Sequence, residues 1–177
     1  METHGIGAQE LGKAIDDLIV SLARQYAEAE PLVVIGVANG GIVLGERLAQ
    51  GLSQSLGRSI PAGSVNITFH RDDIRQNPIP GVKARTDLPF PVDGATVILA
   101  DDVIHTGRSV RAALNEIFDL GRPDRVILAV LCDRGHRRLP LQPDHTGLTV
   151  QTAATQKVKV SLDRDNPAHD TLAILEA

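Results

Sequence analysis

Two adjacent carboxylates, Asp101 and Asp102, end an uncharged apolar run, and Thr106, Gly107, Arg108 and Ser109 follow within a few residues. Small hydroxyl side chains and a glycine opening a helix suit an anion, because backbone N–H groups and the positive end of the helix dipole converge there. Carboxylates repel that anion, so a ligand touching both groups must carry hydroxyls or a metal ion beside its phosphate. A phosphorylated sugar meets that description. The turn Ala38-Asn39-Gly40-Gly41 is a second loop of phosphate-binding type, although a tight strand-to-helix turn also needs glycine for steric reasons alone. A third chemistry-bearing segment, Asp133-Arg134-Gly135-His136-Arg137-Arg138, closes another apolar run. His105 titrates near neutral pH; it is suited to moving a proton or simply to packing on a ligand.

These groups need elements to position them. The β-branched and aliphatic run Thr96 to Ala100 suits a strand buried on both faces, and Val110, Ala113, Leu114, Ile117 and Phe118 predict a helix that stops at Gly121 before Pro123. Upstream, Leu11, Ile15, Leu18, Leu22 and Tyr26 mark an amphipathic helix from Ala8 to Tyr26, broken by Pro31. Leu32 to Val37 reads as a buried strand, and Ile42, Leu44, Leu48 and Leu52 form a helical stripe that ends in the polar segment Gln54 to Arg58. Val65, Ile67 and Phe69 alternate with polar neighbours, as a strand does. From His70 to Pro91 the chain is rich in Pro, Asp and Arg and has no period, which predicts a flexible lid loop over residues 70–91. Arg125 to Cys132 is another buried strand, and Leu148 to Val150, Val158 to Leu162 and Leu172 to Leu175 are expected as small C-terminal edge strands covering the site. The alternation predicts an α/β fold, a central, mostly parallel sheet flanked by helices, in one domain over residues 1–177. Ligands of such sheets collect outside the carboxyl ends of the strands, so the ends after Val37, Ala100 and Cys132 are expected to converge.

Composition agrees with this class. The 177 residues are 42% hydrophobic and 23% charged, enough to build a core, and the formal net charge of −4 argues against holding nucleic acid by bulk charge. No apolar run approaches the roughly 20 residues that cross a bilayer, and no secretory signal opens the chain, so a cytoplasmic location is expected. The single cysteine, Cys132, cannot form an internal disulfide and reads as a small buried hydrophobe. There is no Walker lysine, no dinucleotide glycine fingerprint, no zinc spacing and no nucleophile elbow. Two strand-helix units precede the acidic pair, which also excludes a receiver domain, whose acidic pair ends its first strand.

The stretch Val97-Ile-Leu-Ala-Asp-Asp-Val-Ile-His-Thr-Gly-Arg-Ser109 resembles the phosphoribosyl pyrophosphate signature of type I phosphoribosyltransferases. Its flanks, Thr68-Phe-His-Arg-Asp-Asp73, Asp87-Leu-Pro-Phe90, Arg111-Ala-Ala-Leu114, Asp119-Leu-Gly-Arg-Pro123 and Asp133-Arg-Gly-His-Arg137 with Leu139-Pro140, are similar to the pyrimidine operon attenuation regulators that double as uracil phosphoribosyltransferases. The resemblance implies a type I phosphoribosyltransferase fold and formation of UMP and pyrophosphate from uracil and phosphoribosyl pyrophosphate. It implies that Asp101 and Asp102 engage the ribose hydroxyls and position Mg2+ through the sugar and its waters, while Thr106, Gly107, Arg108 and Ser109 cradle the 5-phosphate. It further implies Asn39, Gly40 and Gly41 on the pyrophosphate, Arg71 and the lid closing over the leaving group, and Asp133, Arg134 and Gly135 at the base. At His105, purine-salvage relatives carry a carboxylate and the pyrimidine regulators commonly a tyrosine. A homodimer or higher homo-oligomer is expected from the same source.

The chain also departs from that family. Well-known regulators have Thr-Arg-Gly at the pyrophosphate turn, where this chain has Ala38-Asn39-Gly40-Gly41, and the late Val-Pro-Thr-Ser motif reads Val150-Gln-Thr-Ala153. The first helix carries only Lys13 and Arg24 as cations, where RNA-binding members are richer in arginine. Fewer cations mean weaker, more salt-sensitive RNA binding. The second reading is therefore a nucleotide-sensing attenuation protein that binds an mRNA leader under control of UMP or UTP, with Arg137, Arg138, Lys157, Lys159 and Arg164 as its candidate patch. Salvage of another nucleobase is the third.

Overall fold

The computed structural model describes residues 2–67 and 86–176, with side chains from Gly5 onward. Arg71, Phe69 and most of the segment expected as a lid, as far as residue 85, lie outside the described residues. In chain order the elements are β1 (Glu2–Gly7), α1 (Ala8–Tyr26), β2 (Leu32–Val37), α2 (Gly40–Leu56), β3 (Ala62–Val65), β4 (Thr96–Ile104), α3 (Arg108–Leu120), β5 (Arg125–Asp133), β6 (His145–Thr149), β7 (Lys157–Ser161), a 3-10 turn (Pro167–His169) and β8 (Thr171–Leu175).

Five parallel strands in the order β3-β2-β4-β5-β6 form the central sheet. Its inner strands are apolar along most of their length because both faces are covered. Val34, Ile98, Ala100, Ala129 and Leu131 pack with α1 and α2, while Val33, Ile35, Val97, Leu99, Leu128 and Val130 pack with α3. Successive residues on a strand point to opposite faces, so one continuous run serves two cores. The helix α1 buries Leu11, Ala14, Ile15, Leu18, Leu22 and Tyr26 along one stripe. Each large side chain contributes about 1.5–3 kcal/mol on burial, far more than helix propensity differences, so packing holds this helix.

Three sequence expectations are corrected. The strand β4 does not stop at the carboxylates but continues to Ile104, because pairing with β5 persists through Val103↔Cys132 and Ile104↔Asp133. The strand expected around Val65, Ile67 and Phe69 lies earlier, at Ala62–Val65, where its register with β2 (Val34↔Ala62 to Val37↔Val65) satisfies the ladder; Ile67 is still buried. Of the C-terminal pieces, β6 alone joins the central sheet as an edge strand, whereas β7 and β8 pair antiparallel with β1 and with each other in a separate three-stranded sheet, β1-β8-β7. That sheet stands over the carboxyl ends of the central strands as a hood. Its anchor is Arg47 of α2, which donates to both carboxylate oxygens of Asp170 and to the Asp163 carbonyl; Asp170 is 1% exposed.

Candidate active site

Parallel register brings the expected residues to one edge of the sheet. Gly36 pairs with Ala100 and Asp101 with Val130, so the ends of β2, β4 and β5 lie side by side. Two clefts open there. One, of about 320 Å³, is lined by Val37, Ala38, Asn39, Gly40, Ile67, Asp101, Asp102, Val103, Ser109, Val158, Lys159 and Val160. The other, of about 410 Å³, is lined from Asp101 and Val103 through Val110, with Arg134, Lys157 and Val158. They share Asp101, Val103, Ser109 and Val158, so they are two ends of one groove.

At neither helix start does the N-cap residue supply a side-chain cap, Asn39 for α2 and Gly107 for α3, although the Thr106 hydroxyl accepts the Arg108 N–H at 3.3 Å. The first N–H groups of a helix have no intrahelical partner, and here they face the groove that a phosphate would fill. Gly107 has φ +89°, a conformation that glycine adopts without strain, and this lets the chain turn from the loop into α3. Gly40 is required by closeness: a Cβ there would overlap the Asp102 carboxylate. The turn at the start of α2 and the acidic pair of β4 are therefore in direct contact. The peptide between Ala38 and Asn39 is cis.

The two acids differ in their surroundings. Asp101 is buried and its Oδ1 accepts the Asp102 backbone N–H at 3.1 Å. Asp102 Oδ1 accepts the Val103 N–H at 2.9 Å. Burial pushes the Asp102 carboxyl up, against the hydrogen bonds from Val103 and Asp101 that hold it down. Burial, and then the positive charges of Arg134, His136, Arg137 and Arg138, push His105 below its ordinary value of 6.5, so the imidazole is neutral at pH 7. Its ring lies edge-on to His136 at 6.0 Å. Cys132 is buried behind the site, and burial with the nearby Asp133 and Asp102 raises its thiol to about 12, which keeps it inert.

Of the candidate base-binding residues, Arg134 is 6% exposed and lines the larger cleft while donating to the Gln156 carbonyl at 2.6 Å. The Asp133 carboxylate accepts the Gly135 N–H and a guanidinium N–H of Arg137. Arg137 also donates to the His105 carbonyl at 2.7 Å, so it braces the loop before α3 against the end of β5. Sequence reasoning missed this brace; it expected the piece from Val158 to Leu162 to cover the site, as it does, but not that Lys157 and Lys159 join the groove lining. The alternation of Lys157-Val158-Lys159-Val160 signalled a strand, but its place over the site depends on pairing with β8, farther along the chain.

A family model, the phosphoribosyl transferase domain, matches residues 6–165. The chain is 39% identical over 171 residues to the Bifunctional protein PyrR of a Picosynechococcus species, covering 97% of this chain and 96% of that one. It is 41% identical over 175 residues to the Bifunctional protein PyrR of Chloroflexus aurantiacus, covering 98% and 95%. The chain is a type I phosphoribosyltransferase of the PyrR family. Solved structures agree on the phosphoribosyltransferase fold: the hypoxanthine phosphoribosyltransferase of Trypanosoma cruzi superposes with a TM-score of 0.69 at 17% identity, over 97% of this chain and 95% of that one. The purine phosphoribosyltransferase of Pyrococcus horikoshii gives 0.59 at 24% identity, over 80% and 82%. Among the described residues of this phosphoribosyltransferase, no helix is long and apolar enough to cross a membrane.

Proposed function

We propose that this phosphoribosyltransferase transfers ribose 5-phosphate from phosphoribosyl pyrophosphate to uracil, giving UMP and pyrophosphate. The observation that carries the reading is the groove itself, which has a helix N-terminus at each end and Asp101 and Asp102 between them. In this reading Thr106 to Ser109 hold the 5-phosphate, Asn39 to Gly41 hold the diphosphate, and the two carboxylates take the ribose hydroxyls and offset positive charge at the anomeric carbon as its bond to pyrophosphate breaks. N1 of uracil then bonds to that carbon and its proton is released. Catalysis rests on positioning and charge. The groove also fits Mg2+: Asp101 and Asp102 lie in its lining, and this ion prefers one or two carboxylates plus substrate oxygens and waters. When bound, Mg2+ supplies charge neutralisation on the diphosphate. The base meets the strand end at Asp133 to Gly135, through backbone groups and Arg134. Arg71 is proposed to close over the leaving group.

His105→Phe is expected to lower turnover less than about tenfold, since a neutral imidazole beside the base is a packing group first. Because its value is depressed, protonation sets in only as pH falls below 6.5. A much larger loss at unchanged substrate affinity, with an acid limb that the variant lacks, would instead make His105 a proton acceptor.

Regulation through an RNA leader is the second reading, supported by the relatives' name, Bifunctional protein PyrR. The candidate patch is dispersed: Lys157 and Lys159 line the groove, Arg137 pairs with Asp133, and Arg164 pairs with Glu46. A homodimer or larger homo-oligomer belongs to the same family-based reading. A melting-temperature panel separates the choices of base. Phosphoribosyl pyrophosphate with Mg2+ should raise the melting temperature, and so should UMP. A rise with a purine nucleotide and none with UMP would overturn the uracil assignment.

A further inference from the structure

The smaller cleft, where the proposed pyrophosphate turn lies, has an unusual charge balance. Its charged lining among the described residues is Asp101, Asp102 and Lys159. A diphosphate carries several negative charges, and two carboxylates in the same cleft repel it, so a cationic side chain in that cleft would strengthen its binding beyond what Mg2+ supplies. The turn Asn39-Gly40-Gly41 supplies none. The strand β7 does, through its alternation: Val158 and Val160 pack against the core while Lys157 and Lys159 are exposed on the other face. Side chains two apart on a strand lie about 6.6–6.8 Å apart on one face. Each end of the groove therefore has one lysine in its lining, Lys157 in the larger cleft and Lys159 in the smaller.

Arg137, at the same edge, is tied to Asp133 in an ion pair, and Arg134, in the larger cleft, donates to the Gln156 carbonyl; neither Lys157 nor Lys159 pairs with a carboxylate among the described residues. Their height over the groove is set by the Arg47 contacts to Asp170 and Asp163, made from the same helix, α2, whose first residues form the turn.

We propose that Lys159 is a diphosphate-binding residue of this chain, supplying from the hood the positive charge that its pyrophosphate turn lacks, with Lys157 acting on the ribose 5-phosphate end. The inference rests on the reading of Asn39 to Gly41 as the pyrophosphate turn. Calorimetric titration of the full-length protein, in Mg2+, with inorganic pyrophosphate and separately with ribose 5-phosphate tests it without reference to the base. Lys159→Met should weaken pyrophosphate about tenfold and ribose 5-phosphate less than about threefold, and Lys159→Arg should restore binding. Lys157→Met should show the opposite preference. Gly40→Ala, which crowds Asp102, serves as the control for the turn. If Gly40→Ala loses pyrophosphate and Lys159→Met does not, the turn assignment stands and the lysine inference falls. Equal loss of both ligands in Lys159→Met also overturns it. If neither variant changes pyrophosphate affinity, the turn assignment falls and takes the inference with it.

Discussion

Replacing Asp102 with asparagine is expected to lower UMP formation at least about a hundredfold without lowering the melting temperature of the ligand-free protein. The substitution is isosteric, and the amide oxygen can still accept the Val103 N–H that Asp102 Oδ1 now accepts at 2.9 Å. What is lost is a negative charge beside the anomeric carbon and the ribose hydroxyls. The stability side follows from burial, which raises the Asp102 carboxyl above its ordinary value of 3.8. A carboxyl raised on folding binds its proton more tightly in the native state, so its contribution to stability is present below pH 3.8 and is lost as pH rises through the elevated value. Above that elevated value the folded protein carries a desolvated charge that asparagine removes. A variant that keeps more than a tenth of wild-type turnover would remove Asp102 from the catalytic centre; one that melts well below wild type would show that the charge is structural.

The second large effect is expected at the hood anchor. Asp170 is buried, its side chain is fully covered, and it accepts from Arg47 through both oxygens and from the Asp163 N–H. Asp170→Ala leaves the Arg47 guanidinium, its side chain only 17% exposed, without its carboxylate. Breaking one half of such a pair costs about 3–5 kcal/mol, which for a chain of this size lowers the melting temperature by about 10 °C. Replacing both partners, Arg47→Met with Asp170→Leu, should cost clearly less, because no charge is then stranded. Thermal and denaturant unfolding of the single and double variants decide this. A single variant within about 1 kcal/mol of wild type would mean that the hood is held by its apolar contacts, such as Leu172, and not by the pair.

Elements whose causes are local are legible in the amino-acid sequence. The stripe from Leu11 to Tyr26 marks α1 at its observed bounds, and the apolar runs at Leu32 and Arg125 mark β2 and β5, because periodicity and chain-breaking residues act over a few positions. The acidic pair and the Thr106 to Ser109 loop mark the site for the same reason. What escapes the sequence depends on distant partners. The strand β1, with the sequence ETHGIG, has almost no strand signal of its own and is ordered by pairing with β8. Arg137 looks like one surface cation in a basic run, yet three acceptors turn it into a brace: the Asp133 carboxylate, the Leu141 carbonyl and, 32 positions away, the His105 carbonyl. Lys157 and Lys159 gain their meaning only from the hood. Departures at Asn39 and in the late motif are visible in the sequence, but the place of Lys159 in the same cleft as that turn is not.

If the groove between the starts of α2 and α3 makes UMP, the base decides the rate. Rates of nucleotide formation should be measured with phosphoribosyl pyrophosphate, Mg2+ and, in turn, uracil, hypoxanthine and guanine, for wild type and Asp102→Asn. UMP formation with uracil, at most traces with the purines, and loss of the uracil reaction in the variant are expected. Nucleotide formation from a purine but not from uracil, or a uracil reaction untouched by Asp102→Asn, would contradict that activity.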